Sequence, residues 1–418
     1  MNKIFTVAIL GVGSRGGDAY GVLIHEKKDQ FKIVALCDLR QEKLDCFGEK
    51  FEVKKENLFL NEEKFFEKKR ADLLVIATQD KDHVRHALKA FALGYDILLE
   101  KPVTANREEL TSLIKAQEES GCKALVCHVL RYSPAFQKAK EILQSGTLGK
   151  LVALNALERV VFWHQAHSYV RGNWRNAEES TPMILAKCCH DLDLIVDYVG
   201  CECESVSSVG DLTYFKSENA PEGATARCVD CPHSGSCPYD ARYIYIERWK
   251  KGGAPQNVWP YNVLCLAPVT EEKLQTAIEE GQYGRCVFAC DNTAVDHQLV
   301  QMNFKNGVKA ALTMTAFTHS SGRRINFYCT EGELLLDEGE ILVKKYGKEV
   351  QTINTANLIE GGHAHGGGDA MLVEQLYETL LGNAPQATSL KVSAESHYIG
   401  ICAEESRKQG GTLIKVHE

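Results

Sequence analysis

Three stretches of the sequence carry residue types and spacings that could do chemistry. The first is Gly11-Val12-Gly13-Ser14-Arg15-Gly16, which follows an apolar run and is followed by Asp38 some 20 residues on. In such a turn Gly11 permits a tight bend, Gly13 lets backbone approach a pyrophosphate, and Gly16 lets the next helix pack on the sheet. The helix start, with Ser14 and Arg15, offers unpaired N–H groups to phosphate. Asp38 would accept hydrogen bonds from ribose hydroxyls and repel a 2′-phosphate. That favours NAD over NADP, with Arg40 pulling the other way. The second is Lys187-Cys188-Cys189-His190-Asp191-Leu192-Asp193. On a helix, His190 and Asp193 share a face, and a histidine with a near-neutral pKa suits acid–base work. The third is the stretch from His164 to Asn176, where His167, Arg171, Asn173, Trp174 and Arg175 read as contacts for sugar hydroxyls and sugar C–H faces.

The cysteines form a further cluster. Cys228-x2-Cys231-x5-Cys237 lies in a Pro/Gly-rich tract, and Cys286-x3-Cys290 comes some fifty residues later. In a reducing compartment this spacing predicts a structural zinc site. Cys228, Cys231 and Cys237 would supply three ligands, with Cys286 or Cys290 the fourth. Unligated thiols and an iron–sulfur cluster are the alternatives.

These groups need elements to hold them. The chain has 418 residues, enough for two or three domains, with 44% hydrophobic and 25% charged residues, which excludes disorder and collagen. The net charge of −8 argues against nucleic acid and membrane surfaces as partners, and no apolar run is long enough to span a bilayer. The N-terminal apolar run leads into the glycines with no small-residue cleavage site, so a cytosolic location is expected. Short β-rich runs at 6–10, 32–37, 73–78, 96–99 and 124–127 alternate with helical patterns, which predicts a parallel, doubly wound sheet over residues 1–130. Residues 131–418 predict an α/β domain with a large, mostly antiparallel open sheet, one long helix over 182–198, and a Cys-rich insertion at about 217–290. Residues 363–369 read as a loop that opens a helix, with Asp369 as its N-cap.

Further motifs complete a pattern. Ala77-Thr78-Gln79-Asp80 ends the third predicted strand, His83 opens the next helix, and Glu100-Lys101-Pro102 comes after the fourth strand. Together with the glycine turn and the His190 motif, these resemble the Gfo/Idh/MocA oxidoreductase family over essentially the whole chain. The resemblance implies NAD(P)-dependent oxidation of a secondary hydroxyl of a sugar, sugar derivative or cyclitol. It implies that Lys101 contacts the substrate hydroxyl and nicotinamide ribose, and that His190 is the acid–base group. Thr78, His83 and Glu100 would lie at the cofactor, and Arg131, Tyr132 and Lys187 near the substrate. A homodimer or homotetramer through the open sheet face is a further implication. One position departs from the pattern: many members carry an aspartate four residues before the histidine, where this chain has Ala186. Asp191 or Lys187 is left to compensate. That gap and the large insertion keep NAD-dependent glycoside cleavage through transient oxidation open, and the fold leaves a non-catalytic NAD- or sugar-sensing regulator as a third expectation.

Overall fold

The computed structural model describes residues 3–337, 339–358 and 364–417. The first sheet contains β1 (Phe5–Leu10), β2 (Phe31–Cys37), β3 (Leu58–Phe59), β4 (Leu73–Ile76), β5 (Asp96–Leu99) and β6 (Ala124–Val126), all parallel, in the order β3-β2-β1-β4-β5-β6. Its strands are apolar on both sides because both faces are covered. Val7 and Ile9 of β1 enter one core, and Ala8 and Leu10 the other. The order reverses at β1, so the carboxyl ends of β1 and β4 open a crevice where a ligand can enter.

The second sheet has nine strands. They are β7 (Leu151–Val161), β8 (Cys203–Asp211), β9 (His297–Phe304), β10 (Lys309–Thr318), β11 (Gly322–Cys329), β12 (Gly332–Asp337), β13 (Glu340–Lys345), β14 (Gln351–Asn354) and β15 (Ile414–Lys415). Every pair is antiparallel except β7 with β10. β9 and β10 alternate buried with exposed residues, as expected of a sheet covered on one face.

The C-terminal segment ties the two halves together. Helix Gly368–Leu381 lays Leu372, Val373, Leu376 and Tyr377 on the first sheet, and Thr388 O accepts from Val126 N at the edge of β6. Helix Leu390–Lys408 then enters both cores, with Leu390 and Ala394 in the first and Ile399, Cys402 and Ala403 in the second. The core of the nucleotide half is therefore not made by its own residues alone.

Three details differ from the sequence reading. The helix predicted over 182–198 is broken into Met183–Ala186 and Cys189–Val199 at Lys187-Cys188. The break leaves the Ala186 carbonyl free for a partner outside the helix. Helix Gly368–Leu381 is capped by Gly367 in the left-handed region, not by Asp369, which lies in the first turn; His363 falls outside the described residues. The insertion, finally, carries its own core. Phe215, Tyr239, Tyr245, Trp249, Leu274, Ile278 and Phe288 pack with Ala166 and Val170.

That aromatic core gives the insertion packing of its own, and the structure lends the zinc expectation no support. Among the described residues no group of three or more His, Cys, Asp or Glu side chains is placed to hold a metal ion. Cys228, Cys231, Cys237 and Cys286 are free thiols, with Cys228 and Cys286 buried in the insertion core.

Candidate active site

A cleft of about 1780 Å³ runs from the glycine turn, between the two sheets, to the insertion. At its nucleotide end the three glycines differ in what a side chain would meet. Gly11 has φ +87°, and a Cβ there would lie 2.4 Å from the Ala77 carbonyl oxygen. A Cβ on Gly16 would lie 2.0 Å from the Gly11 carbonyl oxygen. At Gly13 only the Lys43 ammonium comes near, at 3.6 Å, and the backbone faces the cleft. Two glycines close the turn and one leaves room for a ligand, which is the cradle a dinucleotide needs. Asp38, just past β2, accepts from Val12 N at 2.9 Å and from Arg40 N at 3.0 Å. Ser14, Arg15, Thr78, His83, Glu100 and Lys101 all line the cleft.

Arg15 does not present a free charge to phosphate. Its guanidinium bonds Glu100 at 2.8 Å, Asp369 at 2.7 Å and the Tyr20 hydroxyl. Burial would raise the Glu100 carboxyl, but the charges of Arg15 and Lys101 hold it below its usual range. Glu100 also accepts from Lys101 N at 2.9 Å, so this network sets the start of the Lys-Pro turn. The Lys101–Pro102 bond is cis. Two histidines clamp Pro102 and Val103: His83 Nδ1 lies 2.7 Å from the Pro102 carbonyl oxygen, and His397 Nε2 accepts from Val103 N at 2.9 Å. Lys101 Nζ then reaches across to the Ala186 carbonyl oxygen at 2.9 Å, the group freed by the helix break.

The opposite wall carries His190, at the start of helix Cys189–Val199, and it lines the cleft with Lys101. Burial first, then the charges of Lys101 and Arg323, push its imidazole well below its ordinary pKa. Its Nδ1 has no hydrogen-bond partner among the described residues. Asp193 does not orient it; both carboxylate oxygens take Arg131, at 2.6 and 2.7 Å. The cleft does hold another acid, next to Lys187. Glu158 of β7 enters the cleft beside Lys187, 3.2 Å away, and Arg323, 3.0 Å away, and Arg323 also pairs with Asp191 at 2.8 Å. Burial and the neighbouring Glu158 push the Asp191 carboxyl up to about 6, while Arg323 and Lys187 hold Glu158 low against its own burial. Asp191 meets the cleft only through its pair with Arg323.

The remaining predicted substrate residues divide. His167, Asn173, Trp174 and Lys187 line the cleft. His167 stacks on Tyr283 with ring centres 4.7 Å apart and its Nδ1 lies 3.0 Å from the Tyr245 hydroxyl; Trp174 donates to Asp80 at 3.0 Å. Arg131, Tyr132, Arg171 and Arg175 are not in the cleft. Arg131 also holds Asp197 at 2.8 Å, and the Tyr132 hydroxyl lies 2.9 Å from that of Thr388. Arg171 is fully buried and donates to the carbonyl oxygens of Arg285 and Tyr239, both at 2.7 Å, pinning the insertion to the 165–171 segment. Arg175 pairs with Asp291 and Glu179. The sequence reading missed Glu158, His164, Trp259, Tyr283, Arg323 and His365 as lining residues. Glu158 had a signal: it is an acid in phase with the buried Leu154, Ala156 and Val160 of its strand.

The comparisons with known proteins agree with this architecture. The family model described as the oxidoreductase family with NAD-binding Rossmann fold matches residues 5–128, and the GFO/IDH/MocA C-terminal domain model matches 136–229, together just over half of the chain. The putative oxidoreductase YteT of Bacillus subtilis is 23% identical over 74% of this chain and 72% of its own length. Inositol 2-dehydrogenase 4 of Saccharopolyspora erythraea is 26% identical over 54% of this chain, which spans 62% of that relative. Other relatives are spanned over about half of their length or less. A levoglucosan dehydrogenase solved with NADH and levoglucosan has the same fold, with a TM-score of 0.72 at 14% identity, each chain covered in full. An Agrobacterium radiobacter oxidoreductase solved with NAD+, L-tartaric acid and magnesium superposes with a TM-score of 0.69 at 14% identity, covering 99% of this chain and 98% of that one. The chain thus belongs to the Gfo/Idh/MocA family of oxidoreductases, and residues 5–128 are that family's NAD-binding Rossmann domain.

Proposed function

We propose that the protein oxidises a secondary hydroxyl of a sugar, sugar derivative or cyclitol with NAD as its cofactor. The observation that carries this reading is that Lys101, from the first sheet, and His190, from the second domain, line one cleft that opens at one end onto the glycine turn. The glycine cradle and Asp38 fit a dinucleotide, which when bound supplies a nicotinamide that accepts a hydride. The Asp38 carboxylate at the end of β2 favours NAD, since a 2′-phosphate would meet a like charge there.

The chain's own groups do the rest. Lys101 donates to the reacting oxygen and stabilises the alkoxide character that develops on it. Neutral His190 shares a hydrogen bond with the same hydroxyl and fixes its orientation. Trp174, Tyr283 and Trp259 give faces for sugar C–H surfaces, and Asn173, Lys187 and Arg323 give donors for the remaining hydroxyls. The apolar residues Val152, Leu299 and Phe317, exposed on the open sheet, support a homodimer or homotetramer through that face. The free thiols suit a reducing, cytosolic compartment. A panel of pyranoses, inositols and glycosides, incubated with NAD and followed by NADH absorbance and product chromatography, tests the reading. Stoichiometric NADH and ketone support it. Cleaved glycoside with no net NADH would replace it with transient oxidation, and no change in any compound would remove it.

A further inference from the structure

The turn at 364–367 is built to hold a side chain in the cleft. His365 has φ +52°, and Gly366 and Gly367 come next at +60° and +85°. A non-glycine residue in the left-handed region is uncommon and costs about 1 kcal/mol, so the surroundings must impose it. They do: a Cβ on Gly368 would lie 2.3 Å from the Val129 carbonyl oxygen, and Ser133 Oγ donates to the Gly366 carbonyl at 3.2 Å. The turn is pressed onto the 129–133 segment, and His365 is left at the cleft wall with its side chain 38% exposed.

His365 Nδ1 lies 2.9 Å from Asp369 Oδ2, one helical turn on. Asp369 is buried, and its other oxygen takes Arg15 Nη2 at 2.7 Å, so the carboxylate cannot swing away. This leaves Nε2 with no partner among the described residues, and the ring centre lies 6.1 Å from that of His190. A hydroxyl held by Lys101 and His190 is within reach of both rings, directly or through one water.

Resting on the oxidation reading above, we propose that His365, oriented by Asp369, is the catalytic base that takes the proton of the reacting hydroxyl, and that His190 stays neutral throughout. A base is judged by how well its protonated form is tolerated. The His190 cation would meet Lys101 and Arg323 in a buried site with no carboxylate of its own. The His365 cation would rest on Asp369. Burial first, then Arg15 and Lys187, holds the His365 imidazole below its ordinary pKa, while Asp369 favours its charged form and His190 also faces it. In the step, the substrate C–H bond breaks with its electron pair going to the nicotinamide. The O–H bond breaks with its electron pair closing the carbonyl, and the proton bonds to His365 Nε2. The substrate loses two electrons, NAD gains them, and the proton passes to solvent from the exposed edge of the ring.

Two measurements test this. With NAD and the member of the sugar and inositol panel that gives the fastest rate, H365Q is expected to lose kcat by on the order of 10²-fold or more. It should also lose the acid limb of the pH profile, with NADH affinity and KM nearly unchanged. An H365Q enzyme that keeps kcat within about threefold, or keeps the acid limb, overturns the proposal. Independently of any substrate, imidazole nitrogen NMR of the NADH-bound protein is expected to show His365 as the Nδ1–H tautomer, titrating at higher pH than His190. In D369N that midpoint should drop. A His365 ring protonated on Nε2, or titrating below His190, overturns the proposal even if the oxidation reading stands. If the panel yields no substrate, the oxidation reading falls while the NMR result still decides on the dyad.

Discussion

The nucleotide turn and the chamber opposite it are built in different ways. The turn needs one strand, the start of one helix and Asp38, and its shape comes from side chains that are missing at Gly11, Gly13 and Gly16. The chamber takes Lys101 from the turn after β5, Glu158 from β7, His190 from a broken helix, Trp259 and Tyr283 from the insertion, and His365 from a turn near the C-terminus. Its central salt bridge, Arg15 to Asp369, joins residues 354 apart in sequence. A backbone device is specified locally and tolerates little change. A side-chain device is assembled from distant parts, as Glu158 and His365 illustrate.

Substitutions can sharpen or break that contrast. The largest effect is expected in the chamber: Lys101→Ala should lower kcat/KM by on the order of 10³-fold while NADH binding, read by cofactor fluorescence, persists. Equal loss of both would mean that the lysine belongs to the nucleotide device instead. Arg131→Met should cost about 3–5 kcal/mol of stability, because Asp193 would be left buried without its cation, while Asp197 keeps Lys140. The KM of the folded enzyme should not move, and a raised KM with an unchanged Tm would return Arg131 to the substrate. Gly16→Ala should cost about 3 kcal/mol and abolish nucleotide binding together, as read by thermal unfolding and NADH titration, since the new Cβ has no room. Asp38→Ala should shift the NADP-to-NAD preference by about 10-fold in kcat/KM, with little effect on substrate KM; an unchanged ratio would detach Asp38 from cofactor choice.

The smallest effect concerns pH. Burial, with Arg171 nearby, lowers the His167 imidazole to about 3. Its folded pKa lies below its unfolded value of about 6.5, so between the two the unfolded chain binds the extra proton. Stability from this group is therefore complete above the unfolded value and is lost as pH falls toward the folded one. Stability should decline with acid over that window by up to about 1.4 kcal/mol per pH unit for the single group, read as a falling Tm. His167→Phe should flatten the decline, and an unchanged slope would assign it to other groups.

The same contrast decides what the sequence could disclose. Alternation of β-rich runs and the glycine turn predict the parallel sheet, and consecutive strand-like runs predict the mostly antiparallel second sheet, because both depend on near neighbours. The predicted residues that came together in the cleft, Lys101, His190, His167, Asn173, Trp174 and Lys187, sit in motifs with strong local context. Arg131, Arg171 and Arg175 carry the right chemistry for a substrate site but have partners far along the chain, Asp193, Tyr239 and Asp291, that spacing does not reveal. The cysteine spacing suggested a staple for a tract judged to lack a core. Its core is made of Phe215, Tyr239, Tyr245, Trp249 and Phe288, residues with no helical or strand period to announce them.

The central claim is that a C–H hydrogen of a carbohydrate or cyclitol moves to NAD in the cleft that holds Lys101. It is tested most directly with carbon-deuterated pyranoses and inositols, incubated with the protein and NAD, followed by mass spectrometry of the recovered cofactor. The account predicts a cofactor heavier by one deuterium with the wild-type protein, and not with Lys101→Ala. Deuterium that stays on the sugar or is lost to water, with the cofactor unlabelled throughout, would contradict it.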